Sequence, residues 1–450
     1  MKTSILLVLA ILLLPFPLGA DLPEHTDILL LEESLVRHRL DVADAKARRW
    51  PRIDLDFNAT WMSNPPIGPI EITDYDLALM SPLITSTPSA IPPSGVTFPL
   101  YAGMGNTAYD FKITLSQPIF TWGKINASVD LAEAMLEAKG FELQQKRREI
   151  ATEITLRSNT VVRLKEMAKL LEEQLDLGND LVAIVQSSFE EGLVLELEVA
   201  KTALELHEIE QAMLETNYNI ETQLVELEDL HGVPIPLETL EAPFAEEKMK
   251  QLVDTPLEVL LEQAIASDTP AIAAMMRLQQ AADASERIAK GSFYGKPDLA
   301  LVVSAGYSSS QFPFVEKTDF TLDDFAFTVS VGIKSTLWDG GTLLNSIKRA
   351  ASRTSEAQLE TVAVRNDIGK RLKEAHLSLR TTLRKLALQR EKSATLQQKA
   401  NLQKEMVSQG YVSEQTSITA QMEFIASKIE EKRLEIDAER SYLGIMHMIE

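Results

Sequence analysis

The sequence predicts a mainly α chain with membrane β-structure, a tandem repeat of long coiled-coil helical hairpins, each opened by a β-hairpin. Three observations carry that class. Between Pro118 and Pro234 the chain runs without proline and reads as helix almost throughout, with one turn near Gly192. A shift of 218 positions lays Gly123 on Gly341, Ser128 on Ser346, Val129 on Ile347, Ala132 on Ala350 and Gly192 on Gly410, so the stretch occurs twice. Each copy is opened by two runs in which apolar and polar residues alternate, the period of a strand with two unlike faces.

In chain order, Lys2, the apolar run from Ile5 to Leu14, Pro15, Pro17 and the small pair Gly19-Ala20 have the three regions of a cleaved secretory signal over residues 1–20. The run is too short to span a bilayer, and no later segment holds 18 uninterrupted apolar residues. The chain has no cysteine, which excludes disulfides and a lipid carried on an N-terminal Cys. A first repeat is expected over 21–232. It opens with a charged helix from Ile28 to Arg49, stopped by Pro51, and continues in strands at about 52–61 and 109–120. In the first strand Ile53, Leu55, Phe57, Ala59 and Trp61 alternate with Asp54, Asp56, Asn58 and Thr60; in the second Tyr109, Phe111, Ile113 and Leu115 do the same. Residues 62–108 hold eight prolines and read as a long irregular loop.

Long helices follow at about 124–190 and 194–231. At about 1.5 Å per residue the first would be roughly 100 Å long and needs a partner along its whole length. Val199, Ala203, Leu206, Met213, Ile220, Leu224 and Leu227 read as a coiled-coil seam, interrupted by Glu210 and Asn217. Residues 233–256 form an acidic, proline-containing linker that leaves room for a small strand or helix. The second repeat, 257–450, opens with a helix from Thr255 to about Ser267 and another from Pro270 to about Lys290. Strands at about 298–307 and 325–337 and helices at about 342–408 and 413–449 complete it. Trp61, Tyr109, Tyr307 and Phe325 stand at strand ends, where a membrane strand carries its aromatic girdle.

A formal charge of −22 argues against nucleic acid as a partner. The six histidines lack metal-ligand spacing, and neither a phosphate loop nor a nucleophile triad is present, so no catalytic residue, metal or cofactor is expected. Four strands cannot close a barrel. Two chains would supply eight strands and three would supply twelve; either assembly would also bury the long helices against neighbours.

The junction Leu115-Ser-Gln-Pro-Ile-Phe-Thr-Trp-Gly123 has a counterpart in Ile333-Lys-Ser-Thr-Leu-Trp-Asp-Gly-Gly341, and the tip Glu190-Glu-Gly-Leu-Val-Leu-Glu-Leu-Glu198 one in Ser408-Gln-Gly-Tyr-Val-Ser-Glu-Gln-Thr416. In these features, and in their order, the chain resembles the TolC family of outer-membrane efflux channels. The resemblance implies a homotrimer whose twelve-stranded barrel contacts outer-membrane lipid and continues into a periplasmic α-helical barrel. It also implies a periplasmic adaptor (membrane fusion) protein and an inner-membrane pump, whose cargo the duct conducts passively in efflux or type I secretion. On that likeness Gly192, Leu195, Glu198, Gly410, Ser413 and Thr416 belong to adaptor-docking tips; Glu198, Glu414, Thr416 and Thr419 are candidates for a pore constriction; and Pro118, Gly123, Gly340 and Gly341 form the barrel-to-helix junction. Leu195 and Thr416 depart from the family's tip pattern of Gly, then Ser or Thr, then an acid. The other reading is a periplasmic coiled-coil scaffold or adaptor without a pore; the paired membrane-length strands favour the duct.

Overall fold

The computed structural model describes residues 25–63, 70–73, 97–101, 106–233, 240, 242–266, 268–309 and 325–449. The signal over 1–20 lies outside them. The chain divides into two units, one of Leu40–Glu133 with Ala281–Thr354, the other within Met1–Arg39, Ala134–Gln280 and Ser355–Glu450.

The first unit is organised by a four-stranded antiparallel sheet in the order β1-β4-β5-β6, from β1 (Arg52–Trp61), β4 (Thr107–Phe120), β5 (Asp298–Ser309) and β6 (Phe325–Lys334). The two repeats therefore meet strand to strand, β4 on β5. Register aligns like with like. Leu55, Ile113, Ala305 and Phe327 form one row across the sheet, and Ile53, Leu115, Val303 and Val329 another. On the opposite face Asp54 stands beside Thr114, Ser304 and Thr328, and Asp56 beside Lys112 and Gly306. The alternation of each strand thus adds up to one apolar and one polar surface.

The irregular loop expected over 62–108 carries a two-stranded ribbon, β2 (Ile70–Thr73) paired with β3 (Thr97–Tyr101). Pro99 lies within β3, a position that an edge strand tolerates. β4 starts two residues earlier than the reading of 109–120. β6 stops at Lys334 rather than at 337, because its partner β5 begins at Asp298, opposite Lys334. Beyond that pair no ladder remains for residues 335–337.

Helices α1 (Thr26–Ala47), α2 (Lys124–Glu190), α6 (Pro270–Gly291) and α7 (Thr342–Ser408) each contribute one end to the sheet unit. Its helical core is made of small residues, among them Ala45, Ala127, Ala281, Ala284 and Ala350, all buried.

The second unit adds α3 (Glu196–His231), α4 (Glu246–Asp254), α5 (Leu257–Ala264) and α8 (Glu414–Ile449). The α2 and α7 helices have 67 residues each, and α3 and α8 have 36. α7 and α8 start and stop 218 positions after α2 and α3. The α3 and α8 starts fall slightly inside the ranges 194–231 and 413–449.

One core joins α2, α3 and α8 through Leu164, Leu171, Leu181, Ile209, Leu227, Met422 and Ile429. At Gly178 the three helices approach so closely that a Cβ would lie 2.9 Å from Leu206 Cδ1, 3.6 Å from Ile209 Cδ1 and 3.9 Å from Met422 Cε. A second core sets Met249 of α4 and Leu260 of α5 against Leu372 and Leu379 of α7 and Ile445 of α8. The linker read over 233–256 therefore includes a helix, α4, whose apolar face is part of the fold. On α7 the buried Leu372, Leu379, Leu386, Ser393 and Ala400 recur every seven residues, a repeat that imposes a left-handed supercoil.

The seam on α3 differs from its sequence reading. Its buried residues are Thr202, Ile209, Thr216, Ile220 and Leu227, so the stripe passes beside Glu210 and Asn217 rather than through them. The two threonines can be buried because each hydroxyl bonds the carbonyl four residues back, Thr202 to Glu198 and Thr216 to Ala212.

Candidate functional site

The hairpin tips are built the same way in both repeats. At the end of α2, Gly192 N–H donates to Phe189 O (2.9 Å) and Leu193 N–H to Ser188 O (2.8 Å); at the end of α7, Gly410 N–H donates to Val407 O (3.0 Å) and Tyr411 N–H to Met406 O (3.0 Å). These paired bonds close the helix on a left-handed residue, and Gly192 (φ 72°) and Gly410 (φ 77°) supply it without a Cβ penalty.

The two tips diverge one step later. Ser413 caps α8: its Oγ accepts the Thr416 amide (3.3 Å) and meets the Thr416 hydroxyl at 2.8 Å. Leu195 holds the same place before α3 and offers no side-chain cap. Both tips expose apolar side chains among their polar ones, with Leu193, Leu195 and Tyr411 all more than 70% exposed.

Val194 and Val199 pack on the core that includes Ile418 and Met422 of α8. Glu198 pairs with Lys201 at 3.6 Å, while Glu414, Thr416 and Thr419 are exposed on the single chain, Thr419 bonding back to Gln415 O at 2.9 Å.

At the junction Pro118 sits at a bulge of β4, where the register against β5 shifts between Pro118 and Phe120. Gly123 (φ 78°), Gly340 (φ 69°) and Gly341 (φ 90°) are left-handed. The position equivalent to Gly340 in the first repeat is Trp122, at φ 53°. A left-handed non-glycine costs about 1–3 kcal/mol and persists where its surroundings fix it. Here the indole Nε1 donates to Pro297 O (2.9 Å), and the ring meets Phe120 edge-on at 5.0 Å.

Asp339 fastens the other junction. Its Oδ1 accepts the Gly341 amide (3.1 Å) and the Tyr294 hydroxyl; its Oδ2 accepts the Leu343 amide (2.9 Å) and the Thr342 hydroxyl. Burial pushes its pKa up, but these four donors outweigh it and hold the carboxyl down at about 2, below the ordinary 3.8. The sign follows. A depressed acid contributes stability that is present above pH 3.8 and lost as pH falls through about 2. Protection of the amides at the start of α7, taken relative to their intrinsic exchange rate at each pH, should therefore fall between pH 4 and pH 2, and Asp339→Asn should remove that dependence. Protection in the Asn variant that still falls over the same window would clear Asp339 of this role.

Sequence reasoning missed a buried ion cluster in the helical unit. Arg163 of α2, 4% exposed, donates Nη2 to Glu439 Oε1 (3.2 Å) and to Ala242 O (2.7 Å), and Nη1 to Glu166 Oε1 (3.1 Å). Its Nε stands 3.6 Å from Glu435 Oε2. Lys432 donates to Glu166 (2.8 Å) and Glu435 (3.0 Å), and Arg390 of α7 donates to Glu435 (3.3 Å) and Glu246 (2.5 Å). The guanidinium groups of Arg163 and Arg390 lie 5.6 and 5.8 Å from the centre of the Phe244 ring. Linker residues 242–246 are thereby strapped to α2 and α7. Burial pushes the Glu439 carboxyl up; on Arg163 burial acts downward, and the neighbouring carboxylates Glu439 and Glu166 reverse it. The available signal was the i, i+4, i+8 series Glu431, Glu435 and Glu439, which puts acids on a face that α8 buries.

Residues 24–233 match the model of the family described as outer membrane efflux protein. Among solved structures the chain is similar to CusC, with a TM-score of 0.74 at 13% identity over 95% of this chain and 89% of that one. It is similar to the outer membrane protein VceC of Vibrio cholerae (TM-score 0.71, 17% identity, 95% of this chain and 93% of that one). The CmeC outer membrane channel of Campylobacter jejuni gives a TM-score of 0.71 at 14% identity, over 95% of this chain and 83% of that one. These likenesses concern the fold. A search of curated protein sequences returned no match.

Proposed function

We propose that this chain, whose residues 24–233 match the outer membrane efflux protein family, is the outer-membrane duct of a tripartite efflux or type I secretion system, passively conducting what an inner-membrane pump delivers. One observation carries the reading. The sheet exposes a continuous apolar face, with Leu55 at 63%, Phe327 at 65% and Val329 at 58%, and both its edges, β1 and β6, are unpaired among the described residues. In water that surface would be an aggregation template; in a bilayer it is the lipid face of a barrel segment. Strands of 10 to 14 residues suffice to cross.

A homotrimer supports both requirements of the single chain. Three sheets give a twelve-stranded barrel without edges. Three sets of helices cover the stripe Leu197, Leu204, Tyr218 and Val225, which recurs in sevens on α3 and is at least 60% exposed on each residue. The tips around Gly192, Leu195, Glu198 and Gly410, Ser413, Thr416 then face the periplasmic adaptor, and Glu198, Glu414, Thr416 and Thr419 lie where the duct narrows. The Sec-exported, unlipidated chain resides in the outer membrane, its helices in the periplasm.

Light scattering of the detergent-extracted protein, with the detergent mass subtracted, is expected to give the mass of three chains, and the same material should conduct ions in a planar bilayer. A single chain that stays soluble without detergent would overturn the duct and favour a periplasmic coiled-coil scaffold.

A further inference from the structure

Three of the four tryptophans, Trp50, Trp122 and Trp338, fall in the short segments that join strands to helices at one end of the sheet; the fourth, Trp61, ends β1 at the other. The segments 48–52, 117–124, 290–298 and 334–342 carry seven basic residues against Asp298 and Asp339, in a chain whose net charge is −22. Both acids are engaged. Asp298 pairs with Lys124 at 2.6 Å, and Asp339 is spent on the α7 amides and hydroxyls; of the other basic residues Arg52 pairs with Asp54 at 2.7 Å and Lys290 with Glu286 at 2.6 Å, which leaves Arg48, Arg49, Lys296 and Lys334.

The side of the sheet is also defined at one corner. Phe120, past the β4 bulge, pairs with Leu299 of the apolar face, and Trp122 packs its ring edge-on against Phe120. The Lys296 ammonium lies 5.8 Å from the centre of that indole and donates to Lys290 O at 2.9 Å, with no carboxylate partner among the described residues. Arg48 and Arg49 lie at the matching end of α1, both exposed. Arg49 shares its carbonyl with Gln117 of β4 and its guanidinium with Asn126 of α2.

We propose that this corner is a binding site for the headgroup of an anionic phospholipid. Lys296 receives the phosphate, Trp122 and Phe120 seat the glycerol region at the bilayer boundary, and the acyl chains run up the apolar face over Leu299, Leu301 and Ile333. The inference rests on the outer-membrane reading of the sheet. Charge complementarity selects the occupant: the cations without acid partners gather where the lipid face ends, which is the level of phosphate in a bilayer. The two repeats also differ here in a telling way. Gly340 turns the second junction without strain, whereas the first keeps a left-handed Trp122 that leaves its ring beneath the lysine.

The test uses the full-length detergent-extracted protein with added phosphatidylglycerol or phosphatidylcholine, lipid adducts being counted by native mass spectrometry. Wild type should retain phosphatidylglycerol preferentially. Lys296→Gln should weaken that retention about fivefold, the contribution of one basic residue near an anionic surface. Trp122→Gly, which accepts the left-handed backbone and keeps the fold, should weaken it comparably. Wild-type protein that resists carbonate extraction from vesicles but binds both lipids equally overturns this site alone, as do two variants with unchanged retention. Wild-type protein that carbonate washes off overturns the membrane reading, and the site with it.

Discussion

Replacing Arg163 by alanine is expected to destabilise the helical unit by about 3–5 kcal/mol, the loss that follows when one member of a buried ion cluster is removed and its partners stay behind uncompensated. Glu435 and Glu439 are 4% and 2% exposed, and neither can turn to water without unpacking α8. The same variant removes the donor to Ala242 O and one of the two cations that hold Phe244, so the linker strap should loosen with the core. Glu439→Gln should cost less than about 1 kcal/mol. Burial already pushes that carboxyl toward its neutral form, and an amide oxygen still accepts from Arg163. Urea unfolding of the two variants, with amide exchange along residues 242–246 as the local probe, checks the ordering. Equal losses, or an Arg163→Ala loss within experimental error of zero, would mean that the cluster contributes packing alone.

The helical part of the fold was legible because its signals are strong and local. Each proline-free run is broken at a glycine suited to a left-handed turn, and the turns at Gly192 and Gly410 lie where the sequence puts them. The α3 seam was legible only in outline. Reading apolar types alone selected Val199, Ala203 and Leu224, which are half-buried, and passed over Thr202 and Thr216, whose hydroxyls find partners within their own helix and so behave as small core residues. Strand faces could be read from alternation, but strand ends could not, since Lys334 is terminal only because Asp298 begins the partner strand. The β2–β3 ribbon was hidden by the prolines around it. The ion cluster was the least legible feature. Arg163, Phe244, Arg390 and Glu435 are brought together from segments far apart in the chain, and no local pattern announces that an acid on α8 meets an arginine 276 positions away. Trp122 reads as an ordinary aromatic until its backbone angle is seen beside that of Gly340.

Val329→Arg and Thr328→Arg place the same charge on adjacent residues of β6, and their consequences should diverge. Both positions are exposed on the isolated chain, so a sheet in water would accept either within about 0.5 kcal/mol. In the barrel the two faces are different solvents. Val329 sits in mid-strand in the row of Ile53, Leu115 and Val303, where an arginine near the bilayer centre costs about 2–4 kcal/mol. Thr328 stands beside Ser304 and Thr114 on the polar face, near Asp110 and Lys112, where water can hydrate a new guanidinium. The expected result is that Val329→Arg sharply lowers the fraction of protein that folds into phospholipid vesicles, measured by denaturant titration of tryptophan fluorescence. Thr328→Arg should fold as wild type while reducing cation conductance in planar bilayers, because its charge projects into the passage. The pair separates two causes of exposure that the single chain cannot distinguish, contact with lipid and contact with water. If both variants fold alike and conduct alike, the apolar face does not meet hydrocarbon, and the four strands belong to a soluble sheet whose open edges some other partner covers.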